Sequence, residues 1–217
     1  MATIQEHCCS ANIFFDEKMA KKQYQRYLKK GPPKVTARII EQLSKHETEG
    51  KSLIDVGGGI GALQWWFLEA KGAETISIDA SSGYLKQAEE HAKINGWENK
   101  TRFIFGDYVE AHKQAESVDF ITLDKMVCCY PDYREIIEIS CAKAKSHIAL
   151  SYPIDGPISR LFAWLEGFFT KLKGQNFRPF VHPVSEIRKT FEQQGYERIA
   201  HNLVFPWHVE TYRKVKS

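Results

Sequence analysis

The chain is predicted to be an α/β protein with a mostly parallel sheet covered by helices on both faces. Three observations predict it. Short apolar runs alternate with amphipathic stretches at the rhythm of strand–helix units. Four of those runs close on an acid, at Asp55, Asp79, Asp107 and Asp124. The first run passes straight into a glycine-rich turn, Val56-Gly57-Gly58-Gly59-Ile60-Gly61-Ala62, from which a helical pattern starts. In open sheets of this kind ligands sit at the carboxyl ends of the strands, so the four acids mark one edge.

Residues 12–30, rich in Lys, Tyr, Phe and Glu, read as a helix that Gly31-Pro32-Pro33 stops. Val35 to Leu43 resumes helical spacing, with Val35, Ile39, Ile40 and Leu43 on one face. Ser52 to Val56 is the first strand and Leu63 to Lys71 the helix after it. Glu74 to Asp79 is the second strand. Tyr84 to Ile94 is a helix that Asn95-Gly96 ends. Thr101 to Phe105 and Val118 to Leu123 are strands, Tyr133 to Ala144 is a helix, and His147 to Ser151 is a fifth strand. After Tyr152 the rhythm changes. Pro153 to Gly156 is a turn, Ile158 to Leu172 an aromatic-rich helix, and Asn176 to Pro183 a loop. Ser185 to Gln194 is a helix for which Ser185 fits the N-cap. Tyr196 to Leu203 and Trp207 to Lys214 form an antiparallel pair around Phe205-Pro206.

A length of 217 residues suits one α/β domain with a modest insertion. Hydrophobic content of 43% and charged content of 26% are those of an ordinary globular protein, and a net charge of +3 does not call for nucleic acid. No segment approaches the roughly 20 apolar residues of a membrane span. Five cysteines, with adjacent pairs at Cys8-Cys9 and Cys128-Cys129, do not form a disulfide framework, and a cytoplasmic home is expected.

Two readings of the glycine turn compete. Gly57, Gly59 and Ala62 satisfy a dinucleotide pattern, which would make the chain a nicotinamide-dependent oxidoreductase. Gly57, Gly59 and Gly61 behind Asp55 satisfy Asp-x-Gly-x-Gly-x-Gly. Three features favour the second. Asp55 stands where dinucleotide sites carry an apolar residue, and a carboxylate can accept from the ammonium end of an amino-acid cofactor. Gly106-Asp107-Tyr108 places an acid at a third strand end, suited to an adenine amino group. The chain closes on an antiparallel strand pair instead of a second mononucleotide half.

The run Leu53 to Gly61, Ile78-Asp79, Phe105-Gly106-Asp107 and Asp119 to Asp124 resembles the class I S-adenosylmethionine-dependent methyltransferases. The resemblance covers the chain from about residue 34 onward. It implies a Rossmann-like seven-stranded sheet with an antiparallel last strand. It also implies an N-terminal helical cap over 1–33, a catalytic domain over 34–217 and a helical lid insertion near 153–184. S-adenosyl-L-methionine is the cofactor it implies and S-adenosyl-L-homocysteine the product. Asp55 with Gly57, Gly59 and Gly61 would line the methionine and ribose part. Asp79 and Ala80 would hold the ribose, and Asp107 and Tyr108 would border the adenine. Asp124 and Lys125 would wall the methyl group, with Tyr27 closing from the N-terminal helix. The C-terminal third, through Asn176-Phe177-Arg178-Pro179-Phe180-Val181-His182-Pro183, is similar to magnesium-protoporphyrin O-methyltransferases. Cys128-Cys129-Tyr130-Pro131-Asp132-Tyr133 departs from them.

The implied reaction is methyl transfer to a small or medium apolar acceptor, most simply at oxygen, with RNA or protein as the rival acceptor. A general base is needed only where the nucleophile is protonated, and no catalytic base is evident. Asp124-Lys125-Met126-Val127 replaces the Asn-Pro-Pro-Tyr of adenine and glutamine N-methyltransferases. Cys128 and Cys129 read as packing thiols with no spaced partners for a metal. His7-Cys8-Cys9 reads as a disordered terminus. Lys18, Lys21, Lys22, Arg26, Lys29 and Lys30 read as a solvated helix face, with an anionic substrate, RNA or a membrane surface as the functional alternative, and Tyr24 and Tyr27 share a face of that helix. Trp65, Trp66 and Phe67 are expected in the core. The aromatics of Ile158 to Leu172, with Phe205 and Trp207, are expected to form the acceptor pocket, with a dimer interface as the alternative. Arg178 and His182 read as loop residues, with a substrate carboxylate and a base as their functional alternatives.

Overall fold

The structure, a computed structural model, describes residues 11–172 and 177–215. Strand β1 (Ser52–Val56) is buried along its whole length, as expected of a central parallel strand. It lies between β2 (Glu74–Asp79) and β4 (Val118–Asp124). With β3 (Thr101–Phe105), β5 (Ala144–Pro153), β6 (Tyr196–Val204) and β7 (Trp207–Lys214) the order is β3-β2-β1-β4-β5-β7-β6. β7 is antiparallel to both neighbours and the other pairings are parallel. The predicted sheet and its reversed last strand are therefore present.

The helices are α1 (Glu17–Lys30), α2 (Lys34–Leu43), α3 (Ala62–Glu69), α4 (Ser82–Ile94), α5 (Tyr108–Ala111), α6 (Tyr133–Lys143), α7 (Pro157–Leu172) and α8 (Val184–Gln193). Two clusters on opposite sides of the sheet form most of the core. One joins Ile136 and Ile137 of α6 and Phe191 of α8 to strand residues such as Ile121 and Ile148. The other joins Val35, Ile39 and Leu43 of α2 to Phe67, Phe120 and Val209. Trp65 and Phe67 are buried and Trp66 packs at the margin, as expected.

Two local readings are corrected. The stretch 12–30 is not one helix: residues 11–14 are helical, the chain breaks at Phe15, and α1 starts after Asp16. Asp16 accepts from the Met19 amide at 2.8 Å, an N-cap hidden inside a charged run. Ser185 is not an N-cap, because α8 begins one residue earlier with Pro183 in the cap position and no side-chain cap bond. His7, Cys8, Cys9 and Asn176 lie outside the described residues.

The reversed strand is anchored by a buried carboxylate. Glu210 is fully buried. It accepts from the Tyr152 and Tyr212 hydroxyls, each at 2.7 Å, and from Arg188 and Arg198, each at 2.7 Å. Burial pushes its carboxyl up, but the donors from Tyr212, Arg188, Tyr152 and Arg198 outweigh that and hold it below the ordinary value. Glu210→Gln should cost about 3 kcal/mol in urea unfolding at neutral pH. That is the low end for a buried pair, since both arginines keep some surface in water. A depressed native pKa stabilises above the ordinary carboxylate range and ceases to as pH falls through it. The gap between wild type and variant should therefore close in acid.

Candidate active site

The site grows from the turn after β1. Gly57, Gly59 and Gly61 take φ of 62°, 56° and 95°, which side chains with a Cβ rarely adopt. Space matters as well. A Cβ on Gly57 would lie 2.1 Å from Met126 Sδ, and one on Gly58 would lie 2.6 Å from Asp55 Oδ2. The turn is thus pressed between β1, β4 and the head of α3.

Asp55 is 1% exposed. Its Oδ1 accepts from Thr122 Oγ1 at 2.6 Å, while Oδ2 has no hydrogen-bond partner among the described residues. Burial drives its carboxyl up to about 7. The Thr122 hydroxyl and the nearby Gln64 side chain oppose the rise, and the Asp124 charge adds to it. The Gln64 side chain, at the third position of α3, is also buried without a partner. An orphaned carboxylate oxygen beside an orphaned amide is suited to the charged end of an amino-acid-like ligand.

Asp79, at the end of β2, accepts from the Gly59 and Ser81 amides at 2.9 and 2.7 Å. Burial raises it to about 6 against those two donors. Asp107 caps α5 by accepting from the Val109 amide at 2.8 Å. Asp124 is not a helix cap: Thr36 and Ser151 hydroxyls donate to its two oxygens, each at 2.5 Å. The next residue, Lys125, takes φ of 60°, a conformation that costs a non-glycine residue of order 1–3 kcal/mol and that clusters at functional sites. Its amide donates to Ser151 Oγ at 2.8 Å, and its ammonium stands 5.5 Å from the Trp207 ring centre.

One cavity of about 510 Å³ joins these parts. Asp55, Gly57, Gly59, Asp79, Ala80, Asp107, Tyr108, Asp124, Lys125 and Tyr27 all line it. Gly61 does not reach the cavity and instead opens α3 as its N-cap. Tyr108 carries its hydroxyl away into the core, 3.1 Å from Ser140 Oγ. Tyr27 stacks edge-on against Trp65 while also facing the cavity, so it both packs and borders the site; Tyr24 packs on the same indole.

Other walls include Phe14, Phe15, Met126, Phe177, Pro179, Cys128 and Cys129, with Trp207 and Glu166. Both cysteines donate weakly to the Lys125 carbonyl, at 3.2 and 3.3 Å, in keeping with packing thiols. The expected aromatic pocket is corrected. Phe162, Trp164, Phe168 and Phe169 of α7 face solvent, Phe205 is 71% exposed, and only Glu166 of α7 and Trp207 reach the cavity. The apolar walls come instead from Phe14, Phe15, Phe177 and Pro179, where Phe14 stacks on Phe177 at 5.0 Å. Neither Arg178 nor His182 lines the cavity. Arg178 lies over the Phe180 ring, and His182 shares a hydrogen bond with the Tyr130 carbonyl at 2.9 Å.

Sequence reasoning missed Gln64, Thr122, Thr36 and Ser151. Thr122 had a signal, since it sits two residues before Asp124 on the same strand face and opposite Asp55 in register. Ser151 had the same kind of signal, since it pairs with Asp124 in register at the end of β5, whereas Thr36 had none, because it meets Asp124 from a helix 88 residues away.

Residues 23–201 match a family of methyltransferase domains. No curated protein sequence matches the chain. Among solved structures the chain is similar to the magnesium protoporphyrin IX methyltransferase of Synechocystis PCC 6803 with bound S-adenosylhomocysteine. Identity there is 16%, the match covers 83% of this chain and 82% of that one, and the TM-score is 0.66. An O-methyltransferase family 2 protein of Planctomyces limnophilus in complex with apigenin is 16% identical over 90% of this chain and 62% of its own, with a TM-score of 0.65. YcgJ of Bacillus subtilis is 14% identical over 84% of this chain and 99% of its own, with a TM-score of 0.64. At these identities the likeness is one of fold.

The turn allows a direct check. Gly58→Ala should destabilise the protein by about 1–3 kcal/mol in thermal unfolding, because the new methyl group overlaps the buried Asp55 carboxylate. Gly156→Ala, where a Cβ meets nothing within 4 Å, should leave the melting temperature unchanged.

Proposed function

The chain belongs to the family of methyltransferase domains, with S-adenosyl-L-methionine as methyl donor, and from that premise we propose that it methylates an oxygen of a small or medium, flat and largely apolar acceptor. The single observation that carries the reading is the division of one cavity into two kinds of wall. Acids and glycine backbone at the strand ends suit a polar nucleoside and its amino-acid tail. Phe14, Phe177, Pro179, Met126 and Trp207 suit a flat apolar partner. That relatives in fold include a magnesium protoporphyrin IX methyltransferase and an O-methyltransferase with apigenin agrees with such a partner.

In this reading Asp55 Oδ2 accepts from the cofactor's ammonium group, which gives the orphaned oxygen a donor. Asp79 retains lone pairs beyond those on the Gly59 and Ser81 amides, and these take the ribose hydroxyls, with Ala80 alongside. Asp107 and the backbone at Tyr108 border the adenine. Gly57 and Gly59 let the chain approach closely, and Gly61 aims the head of α3. Asp124, clamped by Thr36 and Ser151, holds Lys125 and Met126 as the wall beside the transferred group, and Tyr27 closes the cavity from α1.

The bound donor supplies an already activated methyl group, so alignment and exclusion of water are the protein's main task. No histidine lines the cavity among the described residues. An acceptor ionised at neutral pH, such as a carboxylate, needs no base. Glu166, whose carboxyl burial raises, is the acid on the acceptor wall.

Calorimetry with S-adenosylhomocysteine tests the cofactor half. Asp79→Ala should weaken binding by about 1–3 kcal/mol, since ribose hydroxyls lose an acceptor. Asp55 must be ionised to receive an ammonium group, and burial holds it near 7. Affinity should therefore fall as pH drops below about 7, by at most roughly tenfold per unit, and Asp55→Asn should flatten that dependence. The acceptor half is tested by labelled methyl transfer to a panel of flat carboxylates and phenols. Label recovered only in RNA or protein would sink it.

A further inference from the structure

Helix α7 is built inside out. Its large side chains, Leu161, Phe162, Trp164, Phe168, Phe169 and Leu172, are 48–68% exposed. The residues turned towards the protein are small. Ser159 and Thr170 are its buried members, with Ala163 and Gly167 between them at helical spacing. Gly167 lies close over Arg178, where a Cβ would come within 3.1 Å of the Arg178 Cβ, and Thr170 Oγ1 donates to the Phe177 carbonyl at 2.6 Å. The small face thus lies against the chain at Phe177 and Arg178. A contiguous row of exposed aromatic and leucine side chains is far beyond the single exposed residues of an ordinary surface.

The neighbouring rim of the same cavity is cationic. Lys18, Lys22, Arg26, Lys29 and Lys30 of α1 are exposed and have no ion-pair partner among the described residues. The acids at that end are occupied: Asp16 caps the helix, and Glu17 pairs with Lys21 and Lys86. The two helices are linked at the cavity. Gln23, Arg26 and Tyr27 of α1 and Glu166 of α7 all line it, and Phe15, just before α1, packs on Phe177, beyond α7.

We propose that this rim docks on an anionic lipid bilayer, with the aromatic face of α7 sunk into the headgroup boundary and the lysines of α1 against lipid phosphates. Trp, Phe and Leu on one element with Lys and Arg beside them is the composition of an interfacial helix, which lies in the membrane surface without spanning it. No described helix is long and apolar enough to cross a membrane. The charge complementarity favours lipid over a second copy of the chain, whose α1 would carry the same positive charge. The inference deepens the proposed function, because an apolar acceptor partitions into the bilayer and would meet the cavity mouth there.

Co-sedimentation with vesicles tests it. The full chain should pellet with phosphatidylcholine mixed with phosphatidylglycerol, less with phosphatidylcholine alone, and less again as salt rises. The double variant Phe162→Glu, Trp164→Glu should lose vesicle binding by roughly tenfold or more. Its affinity for S-adenosylhomocysteine should be unchanged, since neither residue lines the cavity. That second readout shows the variant folded and separates failure here from failure of the cofactor reading. The proposal is overturned if wild type stays in the supernatant with mixed vesicles. It is equally overturned if sedimentation velocity shows a dimer that the double variant dissolves, since the face is then covered by a second copy.

Discussion

Asp55 is removed from water at the end of β1, and one of its oxygens faces no protein donor. An ionised carboxylate in such a place is costly, and the cost appears as a carboxyl pushed up to about 7. The surroundings do little to relieve it. Thr122 and, more weakly, the Gln64 side chain oppose the rise, while Asp124 and Asp79 add negative charge nearby. Three acids converge because parallel strands all end on one side of the sheet, and the chain concentrates them there instead of dispersing them. A ligand with a positive end relieves all three at once. The glycine turn follows from the same constraint, since any side chain at Gly58 would occupy the space of the carboxylate.

Much of this was legible in the sequence because it is periodic or local. β1 reads as a buried run because both its faces are covered, and the acids mark strand ends because each run stops there. The helix ends were read less well. Asp16 as an N-cap was concealed by charged neighbours, and Pro183 took the cap position for which Ser185 looked suited. The aromatics of α7 were expected to line the cavity and face solvent instead, for a clear physical reason. A helix carrying Phe162, Trp164, Phe168 and Phe169 reads as one that buries its aromatics, and apolar composition alone does not say which face turns inward. Ser159, Ala163, Gly167 and Thr170 held that information as a small-residue stripe at helical spacing. The Ser151 half of the clamp on Asp124 follows from strand register, but the Thr36 half joins residues 88 positions apart and leaves no local trace.

The reversed strand β7 matters to the site as well as to the fold. Because β7 runs against β5, it begins where β5 ends, and Trp207 pairs with Pro153 at the carboxyl edge where the acids lie. A seventh strand running parallel would bring its last residue to that edge and its first to the far one. The reversal therefore lets the first residue of β7 face Lys125 across the cavity, with the ammonium over the indole. What keeps β7 in that register is buried three residues along on the other pole of the same charge logic. Glu210 accepts from two tyrosines and two arginines, so unlike Asp55 it is held below its ordinary value. The chain thus buries two kinds of carboxylate. The one satisfied within the protein fixes the reversed strand, and the one left short of a donor lines the cavity.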